Sequence, residues 1–205
     1  MMRISVLLAC LCSVLATAQK KKKYFDDVVS NADAKIILLK PVGNNHLSKD
    51  YSTFFGFGFG GNLMTPINFG IGLDYNVLFS NVKYGNENMA GSIGSPVLTI
   101  ADLFISHRDK LSEDFEVEEM IGFSFYSHTN LFNYQKNQKY KNTGNGLNLG
   151  GRIIYNLDME GYQQVFLAGK INFYYTNVFN ENKEIQKYYD RSVFLSLGLG
   201  YRYNF

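Results

Sequence analysis

From about residue 34 onward the chain alternates hydrophobic with small or polar residues at a period of two, the pattern of strands with two unlike faces. In "NFGIGLDYNVL" one face carries Phe69, Ile71, Leu73, Tyr75 and Val77, and the other Asn68, Gly70, Gly72, Asp74 and Asn76. "GLNLGGRIIYNL" sets Leu147, Leu149, Ile153, Tyr155 and Leu157 against Asn148, Gly150, Arg152 and Asn156. The stretch 192–205 sets Val193, Leu195, Leu197, Leu199, Tyr201, Tyr203 and Phe205 against Ser196, Gly198, Gly200, Arg202 and Asn204. "FFGFGFGG", "FEVEEMIGFSFY" and "QVFLAGKINFYY" behave alike, while "VLTIADLFIS" and "AKIILLKPV" alternate more weakly. The pattern predicts eight strands. Glu119 interrupts the apolar face of the fifth, which predicts either a bulge near Glu118 or an interfacial position.

The links between strands add direction. Those near 62–66, 108–113 and 158–162 are short; those near 43–51, 80–95, 128–144 and 177–190 are longer and rich in Asn, Lys, Tyr and Gly. Strict alternation of short and long links, an even strand number and an apolar face of unbroken bulk are features of barrels that cross a membrane. A soluble calyx would keep its bulky face inside. Here the opposite face is mostly Gly, Asn and Ser, with Asp74, Asp102, Glu116, Arg152, Lys170 and Arg202 among them. Such a face cannot form a hydrophobic core, so the bulky face is predicted to meet lipid. A sheet in lipid must close on itself to leave no backbone group unpaired.

Composition agrees: 19 Gly, 15 Tyr and 17 Phe against 3 Pro suit a strand-rich fold. A net charge of +2 gives no basic excess to suggest nucleic acid. At the start, Arg3, the apolar run "ISVLLACLCSVL" and the small residues Ala16, Thr17 and Ala18 read as a secretory signal cleaved before Gln19. Leu7-Leu8-Ala9-Cys10 loosely resembles a lipoprotein cleavage box, but the apolar run before it is short. Both cysteines, Cys10 and Cys12, fall inside the signal, so the exported chain would have no disulfide. The expected division is signal peptide 1–18, polar periplasmic tail 19–33 with the basic run Lys20 to Lys23, and barrel 34–205.

The ending "GLGYRYNF" resembles the C-terminal insertion signal of bacterial outer-membrane β-barrel proteins, with Gly200, Tyr203 and the final Phe205 at the matching positions. Gly198 stands where that pattern has a polar residue. By size the chain is similar to the small eight-stranded, porin-like group of the outer-membrane protein A and X barrels. The resemblance implies an eight-stranded antiparallel up-and-down transmembrane β-barrel in the outer membrane of a Gram-negative cell, delivered by the barrel-assembly machinery. It also implies contact with outer-membrane lipid and lipopolysaccharide.

Eight strands leave a lumen that side chains can fill. Asp74, Asp102, Glu116, Arg152, Lys170 and Arg202 are therefore expected to pair as a polar core, with inward glycines giving room to them and to Phe166 and Tyr174. Tyr75, Phe79, Phe125, Tyr201, Tyr203 and Phe205 suit interfacial girdles. Some small outer-membrane barrels are lipid A hydrolases, which makes His128 in "YSHTN" the candidate for catalysis. However, Ser127 and His128 are neighbours in a strand and face opposite ways, and the His-x-Ser-Asn order of those enzymes is missing. His46, in the first long loop, and His107, near a short turn, offer no help. The third long loop, with Lys136, Lys139, Lys141, Tyr134 and Tyr140, and the fourth, with Tyr188 and Tyr189, are candidate contact surfaces. No metal-ligand spacing or cofactor motif is present. The expectation is a non-catalytic monomer with an envelope-structural or surface-interaction role; a lipid A hydrolase and a narrow solute or ion pore are the alternatives.

Overall fold

The computed structural model describes residues 28–83, 96–131, 139–177 and 181–205. The expected signal peptide, the lipoprotein-like box and the lysine run lie outside the described residues. The eight strands are β1 (Val29–Val42), β2 (Phe54–Met64), β3 (Phe69–Phe79), β4 (Val97–Lys110), β5 (Phe115–Leu131), β6 (Lys139–Asn156), β7 (Gln163–Thr176) and β8 (Arg191–Asn204). Each pairs antiparallel with its chain neighbour. β1 then pairs with β8, from Asn31 opposite Asn204 to Val42 opposite Val193, and the sheet closes. Two short helices, α1 (His46–Asp50) and α2 (Lys183–Asp190), lie in the β1–β2 and β7–β8 links. No helix among the described residues is long and apolar enough to cross a membrane; the strands do so.

The period-two faces point as their chemistry requires. Outward, Phe59 is 58% exposed, Leu73 63% and Ile121 60%; inward, Glu118 and Arg202 are 0% exposed. A closed barrel with an apolar outside and a charged inside spans a bilayer. The short links 65–68, 111–114 and 157–162 share one end with the start of β1 and the end of β8, the periplasmic end in this fold. The long links share the other.

Three boundaries differ from the sequence pattern. β1 starts at Val29, so residues 29–33 belong to the barrel rather than to a tail. In "NADA" the outward residues are small alanines and the inward ones polar, so no bulky apolar position reveals the strand. β5 and β6 continue as polar strands beyond the apolar band, with Ser127 paired to Thr143 and Thr129 to Lys141. Of the two expectations for Glu119, the bulge near Glu118 does not form: register runs unbroken from Arg108–Glu118 and His107–Glu119 on one side to Glu118–Arg152 and Glu119–Gly151 on the other. Glu119 simply faces outward near the periplasmic end, with His107 Nδ1 3.4 Å from its carboxylate.

Of the expected girdle, Phe79 and Phe125 lie toward the extracellular ends, and Tyr201, Tyr203 and Phe205 toward the periplasmic end, all exposed outward. Tyr75 instead lies mid-strand, between Phe59 and Ala101, because β3 runs on to Phe79.

Candidate functional site

The lumen has two unlike layers. Toward the periplasm lies a network of five carboxylates (Asp33, Asp74, Asp102, Glu116 and Glu118) and five cations (Lys35, Arg108, Arg152, Lys170 and Arg202). Glu118 is its hub. It accepts from Arg108 Nη2 at 2.6 Å, Arg152 Nη1 at 3.1 Å, Arg202 Nη1 at 3.1 Å and Asn62 Nδ2 at 3.2 Å. Asp33 bridges Arg152 at 3.2 Å and Arg202 at 3.3 Å. Asp74 takes Lys35 Nζ at 2.7 Å, Lys170 Nζ at 3.1 Å and Arg152 Nη2 at 3.2 Å. Asp102 receives Lys170 Nζ at 2.7 Å and the Ser124 hydroxyl at 2.5 Å. Equal numbers matter because an unpaired buried charge is costly. The guanidinium of Arg152 lies over the rings of Phe104 and Phe166, 5.5 and 5.1 Å from their centroids.

All six charged residues expected in the lumen are there: Asp74, Asp102, Glu116, Arg152, Lys170 and Arg202. Four more escape the sequence pattern. It puts Asp33 in a tail, Arg108 in a turn and Glu118 at a bulge, while Lys35 sits in a weakly alternating segment. Parity is the available signal, since Arg108 follows Phe104 and Ser106 in steps of two, all three buried. The inward glycines leave space as expected: a Cβ on Gly72 would strike the Phe104 ring, and one on Gly200 the ring of Phe166.

Toward the extracellular side the lumen is apolar, more so than an inner face of mostly Gly, Asn and Ser with charges among them implies. Leu39, Phe54, Leu78, Leu98, Tyr126, Tyr174 and Phe194 are all buried there. Tyr126, Tyr174 and Phe194 pack ring to ring, with centroids 5.0, 5.8 and 5.7 Å apart. At these strand ends both faces are apolar ("IILL", "VLF", "PVL"), which hides which residue points in. Between the layers a cavity of about 30 Å³ is lined by Lys35, Asp74, Ile100 and Lys170 among others. It has room for one or two waters.

Helix α1 lies across the mouth. Its Asn45 cap accepts from the Ser48 N–H at 3.0 Å, and Lys83 Nζ donates to the Ser48 carbonyl at 2.6 Å. Leu47 is buried, as is His46, which the sequence places apart from His128. The fold brings the two histidines together, with ring centroids 6.5 Å apart. Tyr189 and Tyr188 of α2 stand 5.0 and 6.5 Å from His46. Tyr51 stands 5.1 Å from His128, and its hydroxyl accepts from Asn130 Nδ2 at 2.9 Å. Burial pushes the His46 imidazole down to about 4. His128 faces the lumen, 1% exposed, with no hydrogen-bond partner on either ring nitrogen. Ser127 faces the other way. Of the third-loop candidates, Tyr134 and Lys136 lie outside the described residues, Lys139 and Tyr140 begin β6, and Lys141 is exposed. No cluster of three or more His, Cys, Asp or Glu suited to a metal occurs among the described residues.

This is the fold of the small outer-membrane β-barrels. The chain is similar to the attachment invasion locus protein Ail of Yersinia pestis, at 10% identity over 87% of this chain and 99% of that one, with a TM-score of 0.57. It is similar to Neisserial surface protein A, at 13% identity over 87% and 97% of the two chains and a TM-score of 0.56. It also resembles a major outer membrane protein of Thermus thermophilus, at 15% identity over 86% and 99% with a TM-score of 0.57. No family model and no curated protein matches the chain. Together with the apolar exterior, the shared fold makes this an outer-membrane barrel.

Proposed function

We propose that this outer-membrane barrel is non-catalytic and works through its extracellular rim, as an envelope-structural or surface-interaction protein and as a monomer. The closed lumen carries the reading. A balanced charge layer below, an apolar plug above and a cavity of about 30 Å³ between them support a lumen filled by side chains rather than an aqueous path. The activity open to such a barrel is at its surface. Lys141, Lys183, Lys187 and Arg191 are exposed on the extracellular side, where they suit the phosphates of lipopolysaccharide. Ail has been solved with a heparin analogue, sucrose octasulfate, a polyanion held by a barrel of this fold. Tyr203 and Phe205 are exposed outward near the periplasmic end, which suits recognition by the barrel-assembly machinery.

Against hydrolysis stands the setting of His128, buried and without a serine or carboxylate on its ring. Two measurements test the proposal. The purified barrel in planar bilayers is expected to be silent; steady single-channel steps would sink the closed-lumen reading. Cells carrying His128→Ala are expected to give the same lipid A mass spectrum as the parent, and a lost modification would overturn the non-catalytic role.

A further inference from the structure

The pairing of His46 with His128 has no part in the proposed surface role, and it joins three segments distant in the chain. His46 belongs to α1, His128 to β5, and the Tyr188 and Tyr189 rings that flank His46 belong to α2. These ring contacts at His46 tie the first extracellular link to the fourth. Helix α1 has only five residues. A helix so short does not sustain itself, and its place depends on its seat: Leu47 and His46 pressed into the mouth, Asn45 capping, and Lys83 holding from the β3–β4 link.

That seat favours neutral imidazoles. His46 Nδ1 and both nitrogens of His128 are buried without a hydrogen-bond partner. The charged and titratable groups near the seat are Lys49 and Asp50 of α1, Lys83, and the tyrosines Tyr51, Tyr188 and Tyr189; Asp190, at the far end of α2, lies by Arg191. No carboxylate acts on either imidazole among the described residues. A proton taken up by both rings would place two like charges in a buried site with no carboxylate among the described residues to compensate them.

We infer that α1 is an acid-released cap: protonation of His46 and His128 unseats it from the barrel mouth and separates the first extracellular link from the fourth, leaving the barrel wall intact. The sign follows from burial. A histidine held neutral in the closed form and titrating normally in the open form stabilises closure above its ordinary pKa, and that stability is lost as pH falls through 6.5 toward 4. At about pH 5, His46 alone shifts the closed-to-open ratio by about 30-fold. The apolar plug beneath α1 is made by the strands themselves, so release of the cap changes the outer surface without opening a pore.

Hydrogen exchange of the full barrel in lipid vesicles reads this directly, with labelling times corrected for the intrinsic effect of pH. Between about pH 7.5 and pH 5, peptides spanning 43–53 and 183–190 are expected to lose protection by tens of fold, while β3, β4 and β7 keep theirs. The double variant His46→Gln/His128→Gln is expected to hold its protection at both values. Unchanged protection of the wild-type cap in acid overturns the inference, as does equal acid loss in the double variant. If that variant is already unprotected at neutral pH, His128→Phe serves instead. It fills the same apolar site beside Tyr51 with one charge fewer and must show a smaller acid loss than wild type; an equal loss overturns the inference.

Discussion

At the scale of single residues, Glu118 illustrates how a buried charge is held. It has no exposure and binds the guanidinium groups of Arg108, Arg152 and Arg202. Removing one partner from such a cluster leaves the others uncompensated, at a cost of about 3–5 kcal/mol. Glu118→Gln is therefore expected to lower the urea midpoint of the reconstituted barrel, followed by the heat-modifiable shift on a gel. Adding Arg108→Gln, which removes one of the stranded cations, is expected to recover part of the loss; no recovery would contradict this role for the network. The sequence conceals Glu118 because Glu119 beside it is also acidic, and two adjacent charges in an alternating strand look like an irregularity. His46 is hidden for another reason. Its contact with His128 crosses from a link to a strand, and no local pattern encodes where a link folds back.

The strand-scale pattern is legible wherever the two faces differ in chemistry, as in β3, β6 and β8. It fades where both faces are polar, at the start of β1 and the extracellular ends of β5 and β6, and where both are apolar, under the mouth. Side-chain size carries further information, because small inward positions face large ones on the neighbouring strand. Gly72 of β3 lies against the Phe104 ring of β4, with Asn62 Cβ as the next obstacle. Gly72→Val is expected to cost about 1–3 kcal/mol through overpacking, read as a lower urea midpoint. Phe104→Ala in the same chain is expected to restore part of it by clearing the ring. A double variant no better than Gly72→Val would show that the Gly72–Phe104 fit is not what limits the packing.

For the molecule as a whole, the closed eight-stranded barrel and the direction of its faces can be read from alternation, link lengths and the charges on the reverse face. The division of the lumen into a charged floor and an apolar ceiling cannot. It depends on height along the barrel axis, which is fixed by the stagger between strands rather than by any one of them. The two layers together are the ground for expecting a silent bilayer recording, since between them side chains fill the lumen.

The charge network also dictates an order of events in assembly. Its members come from every strand except β2, and β2 contributes Asn62 to the Glu118 carboxylate. Asp33 and Arg202 meet across 169 residues of chain. Before β8 docks, the inner face holds five carboxylates and only four of its five cations, as Arg202 is still absent. A curved, unfinished sheet would carry that surplus negative charge, and an open edge on each side, into hydrocarbon. Ring closure must therefore precede or accompany entry into the bilayer, and the rate of assembly should follow the slow search of the last strand for the first.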